Sequence, residues 1–219
     1  MSGFKLAIDG PAGSGKSTIS SLIAKKLGWT HIDTGAMYRA VTLKAIELGV
    51  DLNNEASYRF LETTNIHYDF DKIFIDDRDV TEAIRSEGVT NHVSLVSSFP
   101  YVRKKLVDLQ KKASEQGNII MDGRDIGTVV LPHANLKIFL TANVEERAKR
   151  RYKEHMKKGK EAPMEKVIED IVIRDQKDST RKESPLRKAD DAITIDTTCL
   201  SIDEVVNKII ELTDQKEND

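Results

Sequence analysis

Five short apolar runs punctuate the chain: Leu6–Asp9, Thr30–Asp33, Ile119–Asp122, Leu136–Ala142 and Ala192–Asp196. They are too short for helices and do not alternate strictly with polar residues, the pattern of strands buried on both faces of a parallel sheet. Between them, apolar positions recur at helical spacing. Ile19, Leu22, Ile23 and Leu27 line one face of a helix predicted from Ser17 to Leu27 and stopped at Gly28. A second predicted helix, Ala36 to Leu48, stops at Gly49. Pro100 suits the first turn of another, with Val102, Leu106 and Leu109 on one face. Asn143-Val-Glu-Glu146 and Ser201-Ile-Asp-Glu204 have the form of capping boxes, and Val205, Ile209 and Leu212 give the last helix its inward face. The polar residues after Thr213 are expected to fray. Strands alternating with helices predict a three-layer α/β domain around a five-stranded parallel sheet.

The alternation breaks between the second helix and the third strand. Ile66-His-Tyr-Asp-Phe70 and Ile73-Phe-Ile75 read as short strands around an Asp71-Lys72 turn, which predicts a small mixed insertion subdomain. The expected division is a single domain with residues 1–49, 100–145 and 182–219 as its core. Residues 50–99 form the insertion, and 146–181 a helical lid with its adjoining helix.

Composition narrows the picture without deciding it. In 219 residues, 39% are hydrophobic and the formal net charge is −2, enough for a buried core and without a basic field to draw nucleic acid or anionic membrane. No apolar run approaches a membrane span, and the first strand starts too early to leave room for a signal peptide. The single cysteine, Cys199, forbids an internal disulfide, and a cytoplasmic location is expected. Following an apolar strand, Cys199 reads as a packing residue. His31, His67, His92, His133 and His155 lack metal-ligand spacing.

The chemistry enters at Gly10-Pro-Ala-Gly-Ser-Gly-Lys-Ser17, which fits G-x-x-x-x-G-K-[S/T] between a strand and a helix. Such a loop turns backbone N–H groups toward phosphate oxygens at the positive end of a helix. Lys16 is placed to reach the β/γ-phosphates, and the Ser17 hydroxyl to hold Mg²⁺. The expected fold is therefore a P-loop nucleotide-binding one.

Phosphoryl transfer also needs cations around both phosphates and an acceptor pocket. Asp33-Thr-Gly-Ala-Met-Tyr-Arg39 follows the second strand directly, where loops line the ligand crevice. Tyr38 and Arg39 are expected in the first turn of the helix, with Arg39 able to reach a phosphate. Asp122-Gly-Arg-Asp-Ile-Gly-Thr128 follows the third strand. Its charges suit a polar site, and Asp122 could assist Mg²⁺ through water. Arg174, Asp178 and Arg181 fall at i, i+4 and i+7. On one helix they form either a solvated salt-bridge ladder or one functional face, and spacing does not choose. The basic run Arg147-Ala-Lys-Arg-Arg-Tyr-Lys153, continuing to Lys157-Lys-Gly-Lys160, reads as a solvated helix except at Arg147, Arg150 and Arg151, which suit a lid over nucleotide phosphates.

Together with Phe99-Pro100, Arg103, Lys137-Ile-Phe-Leu140 and Arg174-Asp175, these segments resemble the bacterial cytidylate kinases of the nucleoside-monophosphate kinase group. The resemblance covers essentially the whole chain. It implies ATP-dependent phosphorylation of CMP and dCMP, with Mg²⁺ as cofactor and a monomeric protein. Gly10, Pro11, Ala12, Gly13, Ser14, Gly15, Lys16, Ser17 and Thr18 would cradle ATP, with Arg150 nearby. Arg39, Arg124 and Arg181 would face the CMP phosphate and the transferring group, making Lys16, Arg124 and Arg181 catalytic. Ser94, Arg103 and Asp125 would read the cytosine, Tyr38 would line that pocket, and Arg174 and Asp178 would hold the ribose. Thr34, which the resemblance counts among the substrate-binding residues, stands where some relatives have serine and keeps the hydroxyl. The rivals are a P-loop kinase for another small molecule and a nucleotide-hydrolysing switch. The guanine-reading N-K-x-D of a GTPase switch does not occur.

Overall fold

In a computed structural model, which describes residues 3–69, 72–157, 159 and 162–218, the strands run β1 (Lys5–Asp9), β2 (Thr30–Asp33), β3 (Ile66–Asp69), β4 (Lys72–Ile75), β5 (Arg78–Asp79), β6 (Ile119–Gly123), β7 (Leu136–Thr141) and β8 (Ile193–Asp196). The helices are α1 (Lys16–Leu27), α2 (Thr34–Glu47), α3 (Glu87–Val96), α4 (Pro100–Ala113), α5 (Val144–Lys157), α6 (Met164–Thr180) and α7 (Ile202–Asn218). β2-β6-β1-β7-β8 form a five-stranded parallel sheet. The chain places β2 at one edge and then β6 between it and β1, and crosses with β7 to the other side of β1. The order therefore reverses at β1, and a crevice opens beyond the carboxyl ends of the strands. Register places Asp9 beside Gly123 and Asp33 beside Asp122 at the rim of that crevice.

Side chains on the central strands alternate between two cores, as a pleated sheet covered on both faces requires. Ala7, Ile119 and Met121 face a cluster shared with α2, α4 and the insertion. Leu6, Ile8 and Ile120 face another, built with Ile19 and Ile23 of α1 and Val205 and Ile209 of α7. Each fully buried Ile or Leu contributes about 1.5–3 kcal/mol. The smaller sheet, β3-β4-β5, is antiparallel, and its Ile66, Ile73 and Ile75 join the first cluster. Helices α5 and α6 pack on each other through a separate small cluster of Ala148, Val167 and Ile171.

The helix signals act through identifiable bonds. At the start of α7 the Glu204 Oε2 accepts from the Ser201 N–H at 2.8 Å and the Ser201 hydroxyl oxygen accepts from the Glu204 N–H at 3.3 Å. At α5 only half of the expected box forms, with Asn143 Oδ1 accepting from the Glu146 N–H at 2.7 Å.

Four expectations are corrected. Helix α2 starts at Thr34, because the Asp33 carboxylate caps it by accepting from the Ala36 N–H at 3.0 Å, so Tyr38 and Arg39 fall in the second turn. Helix α7 does not fray at Thr213, whose buried hydroxyl donates to the Ile209 carbonyl at 2.8 Å, and it continues to Asn218. Cys199 is exposed, because Thr197 turns inward after β8 in its place. Lys72 belongs to strand β4, opposite Asp69, and not to a turn. Phe70 and Asp71 of the expected hairpin and Lys158 and Lys160 of the basic run lie outside the described residues. Among the described residues, no helix is long and apolar enough to cross a membrane.

Candidate active site

The loop from Gly10 to Ser17 joins β1 to α1 at the point where the sheet order reverses. A side chain at Gly10 would put its Cβ 2.1 Å from the Leu140 carbonyl oxygen, so only glycine fits. Gly15 caps α1 at φ 92°, in the left-handed region, and no side chain caps that helix. The first-turn N–H groups are thereby left for an anion. Pro11 is half-buried, Gly13 and Thr18 are exposed at the mouth, and Ser14 is buried. Lys16 is not on an exposed surface: it is 6% accessible, and its Nζ donates to the Pro11 carbonyl at 2.8 Å and the Ser14 hydroxyl at 3.3 Å. Burial, and then Arg124, hold its pKa well below the ordinary lysine value.

Beneath the lysine lies a group of oxygen atoms. The Ser17 hydroxyl is 2.9 Å from Asp122 Oδ2 and 3.4 Å from Asp33 Oδ2. His31 Nε2 meets the other Asp122 oxygen at 2.6 Å. Burial of the ring pushes the His31 pKa down, but the Asp122 carboxylate outweighs it and raises the value. No cluster of three or more His, Cys, Asp or Glu that could hold a metal occurs among the described residues. One hydroxyl with flanking carboxylates suits a hard cation that keeps its waters and binds substrate phosphates. The Thr34 hydroxyl is occupied nearby, donating to the Asp122 carbonyl at 2.8 Å.

A cationic end of the crevice adjoins this group. Arg39 is buried, and its Nη1 donates to Thr90 Oγ1 at 3.0 Å and the Ile84 carbonyl at 3.3 Å, with no ion-paired carboxylate among the described residues. Burial, then Arg174, Arg85 and Arg151, push its pKa down to about 9. Burial and Arg124 likewise bring Arg174 to about 10. Mutually repelling guanidinium groups in a buried place are what a phosphate dianion would relieve. Tyr68 of β3 brings the insertion against this end, donating its hydroxyl to the Asp33 carbonyl at 2.5 Å.

At the other end, Arg103 of α4 and Asp125 form a buried pair with Nη2 2.5 Å from Oδ2. The Arg103 guanidinium lies 5.3 Å from the centre of the Tyr38 ring, a cation–π contact. Burial pushes the Tyr38 hydroxyl up to about 12. Arg181 Nη2 is 3.5 Å from the second Asp125 oxygen. Asp178 receives Arg124 Nε at 2.9 Å and lies 4.0 Å from Arg174 Nε and 3.9 Å from Arg181 Nη1. Asp178 is 4% accessible, so Arg174, Asp178 and Arg181 do not form a solvated ladder. Arg181 lies just beyond the end of α6 in extended backbone and still reaches the group. Ser94 is half-buried in the last turn of α3, and its carbonyl accepts from the Ser97 hydroxyl at 3.1 Å. The Ser97 carbonyl in turn accepts from Arg103 at 3.0 Å.

The three arginines expected in a lid divide. Arg147 is buried against the P-loop, donating to the Ala12 carbonyl at 2.9 Å and the Ala142 carbonyl at 3.0 Å, so it is not available as a mobile phosphate ligand. Arg150 lies over the loop, donating to the Thr197 carbonyl at 2.7 Å and its hydroxyl at 2.9 Å. Arg151 pairs with Glu154 and adds its charge to the field at Arg39 and Arg174.

Sequence reasoning missed two carboxylates. Asp175 Oδ1 accepts from the Ala12 N–H at 2.9 Å, and its other oxygen pairs with Arg147. Asp9 accepts from the Ile126 N–H at 2.9 Å and the Gly127 N–H at 2.8 Å. The available signal was a charged residue at the end of an apolar strand, and for Asp175 its place beside Arg174.

A parallel α/β sheet whose first loop is a P-loop, with a second cationic pocket in the same crevice, defines a P-loop kinase. A solved shikimate kinase from Bacteroides thetaiotaomicron shares the fold, with TM-score 0.50 over 96% of this chain and 98% of that one at 14% identity. The family model for cytidylate kinase matches residues 6–215. A cytidylate kinase of Acholeplasma laidlawii is 65% identical over 97% of this chain and 96% of its own length. One of Bacillus subtilis is 51% identical over 96% of each. The chain belongs to the cytidylate kinase family, and it is a nucleoside-monophosphate kinase.

Proposed function

We propose that the protein transfers the γ-phosphoryl group of ATP to the phosphate of CMP, and of dCMP, giving the diphosphates and ADP. The observation that carries the reading is the pairing of a P-loop with a second buried cationic pocket that ends in the Arg103–Asp125 pair. The loop from Gly10 to Thr18 cradles the ATP phosphates with N–H groups other than that of Ala12, which Asp175 holds. Lys16 reaches toward the γ-phosphate, and Arg150 lies over the loop. Ser17, with Asp122 and Asp33 beside it, holds Mg²⁺, which when bound neutralises charge on the β- and γ-oxygens. Arg39 and Arg124 hold the acceptor phosphate, and Arg181 faces the transferring group. Arg174 and Asp178 hold the sugar, and Thr34 fixes the strand end on which these groups sit. Tyr38, Ser94, Arg103 and Asp125 enclose the base.

An acceptor phosphate oxygen attacks the γ-phosphorus in line, forming a new P–O bond as the bond to the ADP oxygen breaks. The acceptor is already anionic at neutral pH, so no strong general base is needed, and catalysis rests on position and charge. Residues 50–99 serve as the acceptor-binding insertion and 146–181 as the lid, whose two helices share a small core of their own. The same reading takes the protein as a monomer, and the single cysteine supports a cytoplasmic setting.

The test offers ATP·Mg²⁺ with a panel of monophosphates. CMP and dCMP should turn over far faster than UMP, AMP or GMP. Turnover that ignores the acceptor would make the protein a hydrolase instead. In calorimetry, Arg39→Ala should weaken CMP far more than ATP, and equal weakening of both would misplace the acceptor pocket.

A further inference from the structure

We propose that Asp9 is a positioning residue for base selection: from the end of the P-loop strand, its carboxylate fixes the turn that aims Asp125 into the base pocket. The proposal rests on the reading of Asp125 as the group that contacts the base.

The two oxygens of Asp9 accept separate N–H groups, Ile126 at 2.9 Å and Gly127 at 2.8 Å. These are the two residues that follow Asp125. The Asp125 carbonyl closes the same turn by accepting from the Val129 N–H at 2.9 Å. Asp9 is 4% accessible and forms no ion pair among the described residues. A hydrophobic strand thus ends in a buried carboxylate whose bonds are both spent on one backbone turn. That turn carries Asp125 at its start, and the strand leads directly into Gly10. The donor loop and the base-reading carboxylate therefore share one anchor.

Only a group with two acceptor oxygens serves both N–H groups. Asparagine can accept one and must present its amide hydrogens to the other. The groups facing Asp9 are Asp125, which repels it, and Lys16 of the P-loop, which attracts it. From β7, the alkyl chain of Lys137 packs against Gly127, and its Nζ is engaged by Asp191 and the Pro132 carbonyl. Burial, only partly offset by the two N–H groups, places the Asp9 pKa at about 6.

Two measurements test the proposal. In Asp9→Asn, the CMP-over-UMP ratio of kcat/KM should fall by about tenfold, with KM for CMP rising and KM for ATP within about twofold of wild type. A variant that binds ATP normally and keeps the wild-type ratio overturns it. If that variant does not fold, the wild-type protein decides. On lowering the pH from 7.5 to 5.5, the amide resonances of Ile126 and Gly127 should shift together with a fall in the ratio. Taking the ratio cancels the ionisation of the substrate phosphate. Amides that shift while the ratio holds overturn the coupling. If the underlying reading of Asp125 were wrong, Asp125→Asn would itself keep the wild-type ratio, a different result from either.

Discussion

Asp175 and Ala12 are joined by a hydrogen bond of 2.9 Å, from the Ala12 N–H of the P-loop to a carboxylate of α6. The Ala12 carbonyl is held as well, by Arg147 of α5 at 2.9 Å, and Arg147 pairs with Asp175. Both backbone groups of one P-loop residue are therefore bound by the helices of the proposed lid. This explains why a basic run on a helix of polar character contains one buried arginine.

Asp175→Ala should loosen the loop and leave the buried Arg147 without a counter-charge. Breaking a fully buried pair costs about 3–5 kcal/mol, and less is expected here because the Asp175 side chain is 20% exposed. The melting temperature should fall by several degrees. KM for ATP should rise about tenfold, with CMP affinity little changed. Asp175→Asn, which keeps an acceptor for Ala12, should recover part of the ATP effect. Equal loss toward both substrates would show that the contact serves stability alone.

Lys16→Ala should melt near the wild-type temperature and lose about 10²–10³ in kcat, the usual cost of one preorganised charge. The residue is buried, so normal folding is not a trivial expectation. It follows because burial and Arg124 already disfavour the ammonium, so its removal relieves a desolvated cation. Near-wild-type turnover would remove Lys16 from the transfer step.

The strands, the P-loop and the capped helix starts were legible because each rests on local chemistry: apolar runs, glycines where a close approach demands them, and hydroxyl or carboxylate caps. The segment ending in Arg39 was legible because strand ends line the crevice in this architecture. Its helical phase was not, because the cap is Asp33, a residue that also closes a strand. Arg147 was misread as a free lid arginine, since nothing in a basic run announces which guanidinium turns inward. Asp9 and Asp175 stayed hidden for a related reason. Their partners are backbone N–H groups more than a hundred residues away, and backbone leaves no mark in sequence.

Asp9 also makes a prediction about stability and pH. Its carboxyl value is raised from 3.8 to about 6, chiefly by burial. Between those two values the folded protein holds a proton there that the unfolded chain releases. The stabilisation is therefore complete on the acid side and is lost as the pH rises through about 6. A shift of roughly two pH units corresponds to about 3 kcal/mol. The melting temperature of wild type minus that of Asp9→Asn should increase as the pH falls from 7.5 to 4.5. A difference that stays flat or decreases would mean that the carboxylate is not destabilised by its surroundings.

Asp125→Asn should lower the preference for CMP over UMP. Cytosine presents an amino donor where uracil presents a carbonyl acceptor, so an ionised carboxylate accepts from the first and repels the second. Arg103 at 2.5 Å and Arg181 at 3.5 Å flank the carboxylate. An asparagine oxygen can still accept from Arg103, but its amide nitrogen then turns toward Arg181 or toward the base. In the latter orientation it donates to uracil and opposes cytosine. An unpaired buried polar group costs about 1–3 kcal/mol, so the ratio of kcat/KM for CMP over UMP should fall by about tenfold or more. Most of the fall should come from lost CMP activity. The measurement is that ratio in both proteins at one pH, with melting curves to establish that the altered ion pair has not unfolded the site. A folded variant with an unchanged ratio would take Asp125 out of base recognition and leave the selection to Ser94 and Arg103.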